Sequence, residues 1–244
     1  MSRPCPLCGR IVLFDTDSCV PLACAGCQEL LGRWRYASYA VRCAVCGEAR
    51  LQPEVPCPGC LASETGGRTV GRTICCGPYR GDAKTLLISY KFHRRSRLAP
   101  IVASLFRLEL RELYDGVPVV LIPVPSGRKN RRRRGWDQME LVCRHLREQE
   151  DVSVLSVLKR VDDREQKTLD RNQRLQGYES RFSLRKGAER LLLKEIDLNG
   201  EVRFIILDDV YTTGSTVEGC RRLIMDALGD GYVDRVDALI LCKD

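Results

Sequence analysis

The most chemically specific stretch of the chain is a pair of adjacent acids, Asp208-Asp209, followed by the hydroxyl-rich run Thr212-Thr213-Gly214-Ser215-Thr216. Carboxylates accept hydrogen bonds from sugar hydroxyls or hold a metal-bound water, and they repel phosphate. A small hydroxyl-bearing turn that leads into a helix does the reverse. The first amides of the helix lack intrahelical partners and carry the positive dipole end, which makes an anion cradle. Gly214 lets backbone come close to a phosphate. A ligand with a phosphate and a ribose satisfies both halves, so these residues by themselves specify a phosphosugar or nucleotide site. A plain strand-turn-helix capped by hydroxyls is the alternative, but capping requires neither the paired acids nor so many hydroxyls.

The second chemical signal is cysteine. Of 14 cysteines, nine fall in the first quarter, and eight of those form Cys-x-x-Cys knuckles: Cys5/Cys8, Cys24/Cys27, Cys43/Cys46 and Cys57/Cys60. Two thiolates per knuckle and two knuckles per ion complete a tetrahedral structural zinc site, so eight thiols suit two zincs. Sequential pairing is simplest, and spacing leaves interleaved pairing open. Disulfides are the alternative, disfavoured because the start, Met-Ser-Arg-Pro-Cys, has no signal-peptide apolar region; a reduced, cytoplasmic protein is expected. Cys19 stands outside the pattern as a bystander. The surrounding Pro, Gly and polar residues are too poor in apolar side chains to fold so small a unit without metal.

These residues need elements to position them. Phe204 to Leu207 is a short apolar run that predicts a buried strand, with the acids at its carboxyl end, and Val217 to Leu228 has helical apolar spacing. Upstream, 72–79, 117–124 and 152–158 read as strands, and 82–90, 97–113 and 136–148 as helices; 233–242 supplies a last strand. Strand and helix alternate, which predicts an α/β fold with a mostly parallel sheet flanked by helices. In such a sheet, ligands bind beyond the carboxyl ends of the strands. The turn-rich segment 63–71 marks a boundary between a cysteine-rich unit, 1–62, and an α/β domain, 72–244. Lys91 to Arg97 is a basic connector, either solvated or in contact with ligand. Arg128 to Arg134 holds six cations in seven residues and reads as a basic loop that either meets an anion or lies in solvent. Residues 160–174 are polar and weakly periodic, as in a flap over the site, ending near Phe182. Asp137 reads as a solvent-exposed acid in the first turn of its helix.

The 204–216 stretch resembles the 5-phosphoribosyl-1-pyrophosphate (PRPP) signature of type I phosphoribosyltransferases, and Pro123-Val-Pro-Ser-Gly127 is similar to a pyrophosphate loop in the amidophosphoribosyltransferase branch. The four knuckles, Tyr90-Lys91-Phe92, Arg134-Gly135-Trp136-Asp137-Gln138, Gln166, Leu169, Arg174 and Phe182 extend the likeness over nearly the whole chain, which resembles the ComF family. That family joins an N-terminal double zinc ribbon to a type I phosphoribosyltransferase-like domain and is tied to natural competence. The resemblance implies that Asp208 and Asp209 hold the ribose hydroxyls. It implies also that Thr212, Thr213, Gly214, Ser215 and Thr216 fix the 5′-phosphate, and that Ser126, Gly127 and Arg128 take the pyrophosphate. Lys91, Arg134, Gln166 and Arg174 are implied as flap or substrate contacts. Mg2+ would accompany PRPP. The chain departs from the family at Gly127, Asp137, Asp163 and Gly177, where His, Asn, Thr and Asn are frequent; these positions bear on the acceptor rather than on PRPP.

The formal charge of +8 over 244 residues suits polyanionic ligands, although the signs are mixed along much of the chain. A nonenzymatic module that binds single-stranded DNA through Arg128 to Arg134 and the ribbons is therefore the alternative, with Trp34, Tyr36 and Trp136 near basic residues as stacking platforms. A scaffold that docks a competence helicase or translocase is a third possibility, permitted by the resemblance. No apolar run approaches the ~18 residues of a membrane span, so no membrane insertion is expected.

Overall fold

The computed structural model describes residues 3–12, 23–35, 71–93, 95–147, 151–161 and 181–244. Two short antiparallel strands, β1 (Arg3–Pro4) and β2 (Ile11–Val12), precede helix α1 (Ala25–Trp34). The α/β body then runs β3 (Thr73–Pro78), α2 (Gly81–Phe92), α3 (Ala99–Leu113), β4 (Val119–Pro123), α4 (Arg128–Arg134), α5 (Gln138–Leu146) and β5 (Val152–Val154). It continues with β6 (Leu158–Arg160), β7 (Phe182–Leu184), α6 (Ala188–Asn199), β8 (Arg203–Tyr211), α7 (Ser215–Leu228) and β9 (Val236–Lys243).

Five strands form one parallel sheet in the order β3-β9-β8-β4-β5. Its strands are buried on both faces, which explains their near-continuous apolar sequences. Alternate residues feed two cores. Val119, Leu121, Ile205 and Leu207 pack with α2, α3 and α5, while Val120, Ile122, Phe204 and Ile206 pack with α6 and α7. β4 and β8 are neighbours, with Pro123 opposite Leu207. The chain leaves β4 towards β5 and leaves β8 towards β9, in opposite directions across the sheet. The crevice beyond β4 and β8 is thus the topological switch point, where ligands bind in open α/β sheets.

The predicted α/β class holds, with four local differences. The central strand does not stop at Leu207 but continues to Tyr211, so both acids lie within it. Arg128 to Arg134 is a helix rather than a loop, ending at Gly135. Arginine is a good helix former, and all of these side chains except Arg134 are exposed, where solvent screens their repulsion. Residues 152–158 split. Val152–Val154 joins the sheet, whereas Leu158–Arg160 turns away to pair antiparallel with β7, which opens at Phe182. Helix α1, finally, stands within what read as pure ribbon.

That helix docks on the α/β body. Cys27 and Leu31 join the same apolar cluster as Leu86, Leu87 and Leu98. The Trp34 indole N–H donates to the Pro78 carbonyl at 2.8 Å, and Arg35 pairs with buried Glu109 at 2.9 Å. Trp34 covers Gly77 so closely that a Cβ there would lie 2.5 Å from its ring. Trp34 is therefore packed, not free to stack on a base.

At the opposite end of the sheet, Asp237 is 1% exposed and accepts from the Arg72 amide (2.6 Å), the Arg72 guanidinium and the Tyr114 hydroxyl (2.7 Å). Asp237→Ala leaves these donors without their acceptor, and breaking such a buried charged group costs about 3 kcal/mol. A urea titration should show that loss; an unchanged midpoint would remove the network from the account of stability.

Candidate ligand site and metal centre

The site is built from the loops that leave β4 and β8. Asp209 turns towards α2, where its Oδ1 meets Lys91 Nζ at 2.6 Å; its Oδ2 is buried and has no hydrogen-bond partner among the described residues. Asp208, the next residue along an extended strand, turns the other way, towards Cys220 of α7. The two acids therefore do not converge. Asp208 Oδ1 accepts the Asp209 amide at 2.8 Å. Burial first, and then the Asp209 charge, push the Asp208 carboxyl up to about 8, against the opposing pull of that amide, Lys91 and Arg160.

The sign of the resulting pH dependence follows from linkage. The folded state keeps a proton that the unfolded chain releases above its ordinary value of 3.8. Stability is then greatest below that value and falls as pH rises towards about 8. Urea unfolding of the wild type between pH 5 and 8 should show this decline, and Asp208→Asn should flatten it. Parallel profiles for the two proteins would contradict the raised Asp208 carboxyl.

Beyond β8, Thr212 and Thr213 are exposed, and Gly214 has φ 78° at the N-cap of α7, with no side-chain cap on the helix. The positive φ favours glycine at 214, and a Cβ there would also lie 2.3 Å from the Tyr211 hydroxyl, so that ring would have to move. Thr213 Oγ1 and Ser215 Oγ are 3.0 Å apart. Ser215 and Thr216 belong to the first helical turn rather than to the loop.

Beyond β4, the Ser126 amide donates to Asp137 Oδ2 at 2.7 Å, while Asp137 Oδ1 takes the amides of Met139 and Glu140. Asp137 thus caps α5 and ties down the Ser126 loop. It is 4% exposed, so it is buried rather than the solvent-facing acid expected, because the loop folds back over it. Ser126 Oγ is a second buried oxygen without a partner among the described residues. Arg128 begins α4. Arg134 donates to Gln138, and Tyr90, whose hydroxyl donates to the Gln138 carbonyl at 2.7 Å, packs on Trp136 with ring centroids 4.8 Å apart. Gln166 and Arg174 lie outside the described residues.

Arg160, the first residue of the stretch read as a flap, ends β6. Its side chain runs beside Gly127, where a Cβ would lie 3.6 Å from its Cδ, and its guanidinium stands over the Phe182 ring at 5.5 Å.

The metal centre is separate. The sulfurs of Cys5, Cys8, Cys24 and Cys27 all lie within 4.8 Å of one another. A tetrahedral zinc with bonds of ~2.3 Å sets sulfurs about 3.8 Å apart, so the cluster fits a structural zinc, with no open position for catalysis. This is the sequential pairing of the first two knuckles. Burial opposes charge on the Cys5 thiol, but the amides of Cys24, Cys8 and Leu7 outweigh it and bring the thiol down to about 6. Cys43, Cys46, Cys57 and Cys60 lie outside the described residues.

No protein-family model matches the chain. Among curated proteins it is similar to DNA utilization protein YhgH of Escherichia coli O157:H7, with 28% identity over 220 residues, 84% of this chain and 92% of the relative. Competence protein F of Haemophilus influenzae is 26% identical over 82% of this chain and 83% of its own length. Competence protein ComFC of Streptococcus pneumoniae is 26% identical over 91% and 94%. These similarities over most of the chain support the ComF family. The family resemblance read from the knuckles and the switch-point loops thus agrees with full-length similarity. No helix among the described residues is long and apolar enough to cross a membrane.

Proposed function

We propose that this protein binds Mg-PRPP at the switch point and serves DNA uptake or use, as the names of its relatives suggest for them. The observation that carries the reading is the buried Asp209 carboxylate, with one oxygen on Lys91 and the other without a partner among the described residues, on the strand whose loop leads into the uncapped start of α7. An orphan acceptor on the strand that leads to an uncapped helix start suits a ligand that brings hydroxyls and a phosphate together.

In this reading Asp209, with Asp208 behind it, accepts from the ribose hydroxyls. Thr212 to Thr216 hold the 5′-phosphate through amides and hydroxyls. Ser126, Gly127 and Arg128 receive the pyrophosphate, and Lys91, Arg134, Gln166 and Arg174 complete the contacts. Magnesium, arriving with PRPP, would supply charge neutralisation on the leaving pyrophosphate. Transfer would break the C1–oxygen bond, with the pyrophosphate leaving with the electron pair and an acceptor nucleophile forming the new bond. Positioning and electrostatics would supply the rate, since no general base is in evidence among the described residues. The division into 1–62, 63–71 and 72–244, a second zinc on the later knuckles and a cytoplasmic location belong to the same proposal. The test is pyrophosphate release from Mg-PRPP across a panel of bases, amines and ammonia, abolished by Asp209→Asn; silence across the panel would leave a binding protein rather than a transferase.

One observation favours a second reading, a nonenzymatic module for single-stranded DNA or a scaffold of the competence machinery. Phe92 is 57% exposed, and Arg133 of the polybasic helix lies over its ring at 5.5 Å. A stacking face beside a cationic helix suits a nucleic-acid strand. Changing Arg131, Arg132 and Arg133 to Ala should weaken oligonucleotide binding at low salt by roughly 10-fold or more and flatten its salt dependence. Unchanged binding would remove this helix from the account.

A further inference from the structure

We propose that Asp137 is a positioning residue that holds the loop after β4 in the shape that receives a diphosphate, an assignment that rests on the PRPP reading above. The resemblance places this position on the acceptor side, whereas the geometry places it against the loop. Its two oxygens meet different segments. Oδ1 takes the Met139 and Glu140 amides and caps α5, while Oδ2 takes the Ser126 amide at 2.7 Å. One carboxylate, 4% exposed, thereby ties together the two ends of the segment that carries α4.

The carboxylate is itself fixed from the far side. The Tyr90 hydroxyl donates to the Gln138 carbonyl, Arg134 donates to the Gln138 side chain, and Trp136 packs on the Tyr90 ring. At the start of the loop the Val124 amide donates to the Leu207 carbonyl at 2.9 Å, and Pro125 has no amide hydrogen to give. The Ser126 amide is therefore the next anchor along the loop, and Asp137 is what it holds to. Fixing Ser126 also fixes its Oγ, which is buried and without a partner among the described residues, and the Gly127 amide that follows. A loop ordered in advance does not have to be ordered by the ligand, so less of the binding free energy is lost to entropy. Both oxygens are needed for this. An asparagine caps a helix as well as an aspartate does, but its amide nitrogen is a donor and would face the Ser126 N–H donor to donor.

The experiment is calorimetry of wild type, Asp137→Asn and Asp137→Ser with three probes in Mg2+: PRPP, inorganic pyrophosphate and ribose 5-phosphate. Both variants keep a capping side chain for α5 and release the loop, the serine because it is too short to reach it. Each should raise the Kd for PRPP and pyrophosphate by about 10-fold and leave ribose 5-phosphate within about twofold, because only the ligand that meets the loop must now order it. The sign separates positioning from charge. Removing a negative charge beside an anion subsite would, by electrostatics alone, tighten pyrophosphate binding. Amide hydrogen exchange at Ser126 should be faster in both variants by about 10-fold or more, with thermal midpoints confirming that each is folded. If pyrophosphate bound either folded variant as tightly as wild type or more tightly, or if all three probes weakened alike, the assignment would fail while the PRPP reading stood. If wild type bound none of the probes, the PRPP reading itself would fail and take this one with it.

Discussion

Asp209→Ala is expected to weaken Mg-PRPP binding by about 10- to 100-fold while the protein stays folded. One oxygen of Asp209 satisfies Lys91 and the other waits, buried, for a donor that the protein does not provide among its described residues. A hydrogen bond to a charged acceptor contributes about 1.5–3 kcal/mol, and its loss falls on the complex. Alanine also strips Lys91 of its acid. The Lys91 side chain is 18% exposed, so its ammonium regains water and the fold loses less than a fully buried pair would cost. Titration and urea unfolding of the same variant separate the two effects. A fall in stability with ligand affinity unchanged would make Asp209 a structural acid and nothing more.

The second large effect is expected from the metal centre. Cys27→Ser should lower zinc content by about one ion per chain and lower the thermal midpoint by on the order of 10 °C, since a domain of this size moves about 2–4 °C per kcal/mol. Structural zinc is folding energy for the unit it closes. Here it would also secure α1, whose Leu31, Trp34 and Arg35 hold to the α/β body. That helix rests on α2, which carries Tyr90 and Lys91 into the ligand site. Zinc analysis by mass spectrometry, paired with thermal unfolding, checks both halves. Full zinc content in the variant would contradict the four-thiol centre.

What the sequence made legible was local. The acid pair, the glycine turn and the periodicity after Val217 lie within one contiguous run, and β8 and α7 form there. The parallel sheet was readable because its strands are apolar on both faces and alternate with amphipathic helices. The contacts that give the site its shape are long-range. Asp137 is buried because the Ser126 amide, 11 residues away, folds onto it. Arg160 stands over Phe182 only because a strand 22 positions later pairs with its own. The polybasic run was not legible as a helix because it buries no residue and so has no apolar periodicity, although arginine is a good helix former. The opposed directions of Asp208 and Asp209 follow from the strand continuing to Tyr211, beyond the apolar run that marks it in the sequence.

The most direct test of the ligand site is calorimetric titration of zinc-replete protein with PRPP, with and without Mg2+. The account predicts a saturable heat with about one ligand per chain in Mg2+ and a rise in thermal midpoint with ligand concentration. No heat and no thermal shift with Mg2+ and PRPP together would contradict it.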